Sequence, residues 1–113
     1  MTYLEDRPWG SFNVLLDASD FKVKVLRVHS NGILSLQSHE YRDEHWVVVQ
    51  GEGRVVQGDE VLEVRRGSYV YVPRGLKHRI MNPYSSTLVL VEVQTGEYLG
   101  EDDIIRYEDQ YGR

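Results

Sequence analysis

The 113-residue sequence has no cysteine, only 3 prolines, and no extended basic or apolar run. Without cysteine there can be no disulfide, no thiolate metal site and no thiol nucleophile. Any metal must be held by histidine, carboxylate or amide groups. Basic residues are outnumbered, 13 Lys and Arg against 18 Asp and Glu, for a net charge of −5. This balance argues against a nucleic acid or an anionic membrane as partner. The apolar runs stop at four residues, as in Trp46–Val49 and Leu88–Val91, too short for a transmembrane helix or a signal-peptide core. A soluble cytoplasmic protein is expected. The length is that of one domain, able to bury roughly two thirds of the surface its unfolded chain exposes.

Helical periodicity is also missing, since no window of a dozen residues sustains a 3.6-residue repeat. What the sequence does have is 8 tyrosines, many valines and closely spaced turn signals. Asn31-Gly32, Gly51-Glu52-Gly53, Gly58-Asp59, Arg66-Gly67, Pro73-Arg74-Gly75 and Asn82-Pro83 mark chain reversals. Between them lie the predicted strands Ser11–Leu16, Phe21–His29, Ile33–Ser38, Glu44–Gln50, Gly53–Gln57, Glu60–Val64, Tyr69–Val72, Lys77–Met81 and Thr87–Thr95. Phe21-Lys22-Val23-Lys24-Val25-Leu26 alternates strictly, and only Glu101–Arg106 reads as a short helical turn. Short strands at this spacing predict an all-β antiparallel sandwich or small barrel, with its core at about residues 20–95. An N-terminal strand and a C-terminal segment would pack on that core. Gly51-x-Gly53 is a hairpin turn and too short for a nucleotide-binding loop.

The polar residues that stand out are Gln37, His39, Glu44, His45 and His78. Gln37 and His39, two apart, share a strand face and can enter one cavity. Glu44 opens the next strand and can face back toward them, and His78 follows the Pro73-Arg74-Gly75 turn. Two imidazoles, a carboxylate and an amide oxygen suit a divalent metal, and zinc, manganese, iron, nickel and cobalt all fit.

Gly67, Pro73, Gly75, His78 and Asn82 match the second motif of the cupins, G-x5-P-x-G-x2-H-x3-N, at every spacing. The first cupin motif appears as Gln37-x-His39-x4-Glu44-x6-Gly51, with Gln37 replacing its first histidine and Asn31 its leading glycine. Arg7-Pro8-Trp9-Gly10, Leu34-Ser35-Leu36-Gln37, Glu44-His45-Trp46-Val47-Val48-Val49 and Gly96-Glu97-Tyr98-Leu99-Gly100-Glu101-Asp102-Asp103-Ile104 narrow the resemblance. They resemble the C-terminal domain of type II mannose-6-phosphate isomerases, in many members fused to a mannose-1-phosphate guanylyltransferase. The likeness runs from Arg7 to Tyr111-Gly112-Arg113. Glu40 and Tyr41 stand where members often carry histidines, and Ser38 where methionine is common.

The resemblance implies a cupin fold, a double-stranded β-helix or jelly-roll barrel, in a stand-alone domain serving carbohydrate metabolism and GDP-mannose biosynthesis. It implies Gln37, His39, Glu44 and His78 as ligands of a divalent metal, zinc first. The activity implied is interconversion of mannose 6-phosphate and fructose 6-phosphate through a cis-enediol. Polarisation of a carbonyl by the metal, and a base to move the proton, would supply the chemistry. Lys24 and His45 are the candidate bases. Arg42, Arg79 and Tyr98 are the candidate substrate-binding residues, the arginines for a phosphate dianion. Guanylyl transfer is not expected of these residues. The alternative is a non-catalytic cupin that binds a sugar or sugar phosphate as a sensor or accessory. A homodimer is expected, paired through a strand around Arg7–Leu16.

Overall fold

Phe21–Val28 shows how this sequence builds its sheets. Burial alternates along it, with Lys22, Lys24, Leu26 and Val28 turned inward and Phe21, Val23, Val25 and Arg27 outward. The computed structural model describes residues 3–109, so Tyr111, Gly112 and Arg113 lie outside the described residues. The strands in chain order are β1 (Tyr3–Arg7), β2 (Gly10–Asp17), β3 (Phe21–Val28), β4 (Leu36–Ser38), β5 (Arg42–Gln50) and β6 (Glu52–Gln57). They continue with β7 (Glu60–Arg65), β8 (Tyr69–Val72), β9 (His78–Met81), β10 (Leu88–Gly96) and β11 (Ile105–Glu108).

Two antiparallel sheets result, ordered β1-β2-β3-β10-β5-β8 and β11-β4-β9-β6-β7. The core takes Leu26, Val28, Trp46, Val48, Leu88 and Leu90 from the first sheet and Val55, Val64 and Ile80 from the second. This is the expected all-β jelly-roll barrel.

Two segments differ from the sequence reading. No helical turn spans Glu101–Arg106: the chain turns at Glu101 and Asp102, and Ile105–Glu108 runs as β11 against β4. The pairing gives β4 a second partner beside β9, which satisfies backbone groups that a helix would leave open. At the other end, the chain reverses at Pro8-Trp9 and lays Tyr3–Arg7 along β2. β2 is therefore paired on both sides, by β1 and β3, and the free edge of the sheet belongs to β1 rather than to Arg7–Leu16.

The register divides the barrel interior into two halves. Val28 lies opposite Leu88, and Leu26 opposite Leu90, which in turn lies opposite Val48. One pleat further on, Lys24, Glu92 and Trp46 form a row across β3, β10 and β5, and then Lys22, Gln94 and Glu44 form the next. One end of the interior is thus apolar and the other polar and charged.

Two glycines bring the chain close around that polar end. Gly75, at φ 80°, completes the turn after Pro73, and its N–H donates to His39 O at 2.7 Å. Gly96 lies opposite Arg42, where a Cβ would come within 2.3 Å of Tyr41 O. Asn82 is fully buried and donates to Val28 O at 2.9 Å and Ser86 O at 2.8 Å, so its part in the cupin motif is to tie a loop.

Leu88 is inaccessible and packs against Gly53, where a Cβ would lie 2.5 Å from Leu88 Cδ2. Leu88→Ala is expected to cost about 2–5 kcal/mol of stability. The change should appear as a lower urea midpoint with an unchanged slope.

Candidate functional site

His39 follows β4, and Glu44 lies on the inner face of β5 with Arg42 and Trp46 two residues to either side. His78 opens β9, directly opposite Gln37 on β4. Ligand-capable atoms of His39, Glu44 and His78 all lie within 4.8 Å of one another, and all three residues are buried. Gln37 lines the same cavity as Glu44 and His78, with its Nε2 donating to Ser35 Oγ at 3.0 Å. His39, Glu44 and His78 are thus brought together, and Gln37 lines the cavity beside Glu44 and His78.

Both imidazoles are oriented from behind. His39 Nδ1 donates to Asp103 O at 2.7 Å, and His78 Nδ1 donates to Leu76 O at 3.0 Å. Only an N–H can serve a carbonyl oxygen, so the lone pair of each neutral ring sits on Nε2. Burial lowers the His39 pKa, with Arg42 acting the same way against the pull of Glu44, and keeps the ring neutral. A backbone carbonyl on the second nitrogen is the support that metal-ligating histidines commonly have.

His39 Nε2 and Glu44 Oε2 lie 3.2 Å apart. A neutral imidazole lone pair and a carboxylate oxygen repel each other unless a cation stands between them. In this structure that cation is Arg42. Its Nε donates to Glu44 Oε2 at 2.8 Å, and its Nη2 lies 2.8 Å from the same oxygen and 3.2 Å from His39 Nε2. Trp46 Nε1 donates to Glu44 Oε1 at 3.0 Å. Burial would raise the Glu44 carboxyl, but the charge of Arg42 and its hydrogen bond outweigh it and hold the group well below the usual carboxylate range. The donor set is one ionised carboxylate, two imidazoles and a nearby amide, which fits a divalent metal of the zinc type.

The cavity, of about 430 Å³, is of the size that small-molecule ligands occupy. Arg42, Lys24 and Arg79 all line it. Arg42 sits deeper than its expected place at the mouth, packed on Glu44 with its Nη1 buried and unpartnered. Lys24 faces inward as alternation requires, but its Nζ is 2.9 Å from Glu101 Oε1 and lies over the Phe12 ring. Lys22 donates to Leu99 O at 2.8 Å. Arg79 donates to Leu34 O at 2.8 Å and reaches Glu108.

The acidic segment after Gly96 folds back over this end, as expected. Asp103 accepts from the N–H groups of Glu40 and Tyr41 at 2.9 and 3.0 Å and so fixes the loop that carries His39.

Two expected residues lie outside the cavity. His45 is on the outer face of β5, with its Nδ1 2.6 Å from the Tyr69 hydroxyl and its ring stacked on Tyr71, so a base inside the barrel must be another group. Its place follows from the alternation that turns Glu44 inward. Tyr98 is exposed, hydrogen-bonded to Asp102 and edge-on to Tyr41, and does not line the cavity.

Sequence reasoning missed Glu92. It is buried at 5% exposure on the inner face of β10 and lines the cavity. Burial, and then the Glu44 charge, raise its pKa to about 7. The signal was present in Leu88, Leu90, Glu92 and Gln94, an inward face that turns polar halfway along.

Glu44→Gln leaves the buried Arg42 without its counter-charge and is expected to cost about 3–5 kcal/mol in the metal-free protein. The native Glu44 contribution is complete above its ordinary pKa of 4.5 and is lost as pH falls toward the lower folded value. Urea unfolding followed from pH 7 downward should show that loss in the native protein and a flatter curve in the variant.

The family described as mannose-6-phosphate isomerase C-terminal matches residues 3–109. The xanthan biosynthesis protein XanB of Xanthomonas campestris pv. campestris (strain B100) is 49% identical over 107 residues, which are 95% of this chain and 23% of that protein. The alginate biosynthesis protein AlgA of Pseudomonas aeruginosa is 44% identical over 107 residues, 95% of this chain and 22% of its own length. The chain thus spans less than a quarter of these relatives. Among solved structures, a double-stranded β-helix protein from Klebsiella pneumoniae superposes with a TM-score of 0.75 at 24% identity, covering 85% of this chain and 82% of that one. The capsular polysaccharide assembling protein CapF from Staphylococcus aureus gives 0.82 at 22% identity, over 96% of this chain and 34% of its own. These likenesses establish the fold.

Proposed function

The chain belongs to the mannose-6-phosphate isomerase C-terminal family, and we propose that it interconverts mannose 6-phosphate and fructose 6-phosphate in a metal-dependent way. The observation that carries this reading is the buried group His39, Glu44 and His78, whose ligand-capable atoms lie within 4.8 Å of one another. Gln37, His39, Glu44 and His78 would hold a divalent metal, zinc first, supplying positive charge beside a carbonyl oxygen.

The chain's own residues prepare the rest. Asp103 O and Leu76 O keep both imidazoles turned with Nε2 toward the cavity. Arg42 Nη1, buried without a partner, is a donor for a substrate oxygen. Lys24 and Arg79 are held by the half-exposed or exposed carboxylates of Glu101 and Glu108, which a phosphate dianion would replace. An ion-paired ammonium offers donors and no lone pair, so Lys24 serves here as a cation rather than as a base.

The test is a coupled assay of the metal-loaded protein with mannose 6-phosphate. Turnover that a chelator abolishes is the expected result. Arg79→Ala should raise KM for the phosphorylated sugar by about 10- to 100-fold while changing free mannose little, as loss of a charge-assisted pair worth about 1.5–3 kcal/mol implies. Tight binding of the sugar phosphate with no turnover would replace the isomerase by a sugar-phosphate-binding module.

The proposed protein partner is a second copy of the chain. The outer face of the six-stranded sheet carries two apolar rows in register, Val23, Val93, His45, Tyr71 and Val25, Val91, Val47, Tyr69. A two-fold pairing of this face covers like against like. Light scattering at micromolar concentration should give the mass of two chains, and a single-chain mass would count against the pairing.

A further inference from the structure

We propose that Glu92 is the base that carries the proton between C2 and C1 of the sugar. The inference rests on the isomerase reading and adds to it the one group that reading leaves unassigned.

Its position comes from the register. Glu92 lies opposite Lys24 on β3 and Trp46 on β5, and Glu44 is the diagonal neighbour on the same inner face, one pleat from Trp46. Diagonal cross-strand neighbours stand roughly 7–8 Å apart, which leaves room for two carbon atoms between one side chain and the other. Both carboxylates line the same cavity.

The other cavity groups are engaged. Glu44 accepts from Arg42 and Trp46, and the histidines are pinned with their free nitrogens toward Glu44. Glu101 and Lys24 hold each other. Glu92 accepts from Gln94 Nε2 at 2.5 Å through Oε2, which leaves Oε1 to take a proton. The charged groups facing Glu92 are Lys24 from β3 and Arg42 and Glu44 from β5, and burial together with Glu44 brings the carboxyl near neutrality. A group of that basicity can accept a proton and return it at pH 7.

The step balances without a co-reactant. Glu92 takes the proton from C2 of the aldose, and that C–H pair becomes the C1–C2 double bond as the carbonyl pair moves to O1. The hydroxyl proton passes from O2 to O1. Re-formation of the carbonyl at C2 then drives the double-bond pair to C1, which takes the proton back from Glu92 and leaves the carboxylate as it began.

The experiment uses the full chain, metal-loaded, with fructose 6-phosphate in D2O. Glu92→Gln should lower turnover and deuterium entry into sugar carbon together, by about 10²- to 10⁴-fold. Metal content per chain and the Kd for fructose 6-phosphate should stay within about threefold of the native values. Glu92→Asp should retain part of the rate, and the acid limb of the native kcat/KM profile should vanish in Glu92→Gln. Turnover within threefold of native in Glu92→Gln overturns the assignment, and so does loss of metal and substrate binding in step with the rate. If the native protein neither turns over nor exchanges deuterium, the isomerase reading itself fails, an outcome distinct from an active native enzyme with an active variant.

Discussion

A buried carboxylate without partners is not stable, and the polar end of this barrel is arranged around one such group. Glu44 is 2% exposed, and both its oxygens are occupied. Placing a charge in such a site costs several kcal/mol that only close opposite charge and hydrogen bonds offset. Strand alternation supplies most of what is needed, because Arg42, Glu44 and Trp46 occupy every second position of β5 and so face the same way. His39, which comes from outside the strand, meets the same Arg42 through its Nε2. It is held by Asp103, more than sixty positions later in the chain. The C-terminal segment, which looks peripheral in the sequence, is therefore part of the device that keeps a charge inside the barrel.

The division of the interior follows from the same constraint. Charged groups are tolerated inside a small barrel only where they can pair, so they gather at one end. Leu26, Leu88, Leu90 and Val48 fill the other end and supply apolar burial. Cations and anions alternate across the register, Lys24 beside Glu92 and Lys22 beside Gln94 and Glu44. With Glu101 clasping Lys24 at the rim, no cation in the interior lies far from a carboxylate. Such a lining holds charge without unfolding, and it is also what a dianionic substrate or a divalent ion would require.

How much of this was legible in the sequence depends on how local the signal was. Gln37 and His39 are two apart, and His78 follows a turn whose glycine adopts φ 80°. Expecting them near one another needs only period two and turn chemistry, and the structure sets Gln37 opposite His78 with His39 and His78 both close to Glu44. β1 and β11 did not: β1 pairs with β2 across a tight reversal at Pro8-Trp9 that the strand pattern did not mark, and β11 depends on β4, most of the chain away. Residue type misled where chemistry seemed to require it: His45 was weighed as a base although alternation with Glu44 already turned it outward. Tyr98 was read as a donor, but Asp102, four residues on, takes its hydroxyl. Glu92 was concealed by its setting in Leu88–Thr95, where the β-propensity of the run hid the alternation of its inner face.

The likeness to XanB covers 23% of that protein, and within this stretch one cavity is lined from both sheets of the barrel. Its wall is drawn from both sheets, with Gln37 and His78 on one and Lys24, Glu44 and Glu92 on the other. The rim is closed by the chain's own C-terminal segment through Glu101 and Asp103. Here, among the described residues, the buried side-chain atoms without a partner are Arg42 Nη1 and Gln94 Oε1. One is a donor and the other an acceptor, on residues that lie on either side of Glu44. The unmet hydrogen bonds thus lie at the polar end of the barrel interior, where Gln94 faces Lys22 and Glu44 across the register.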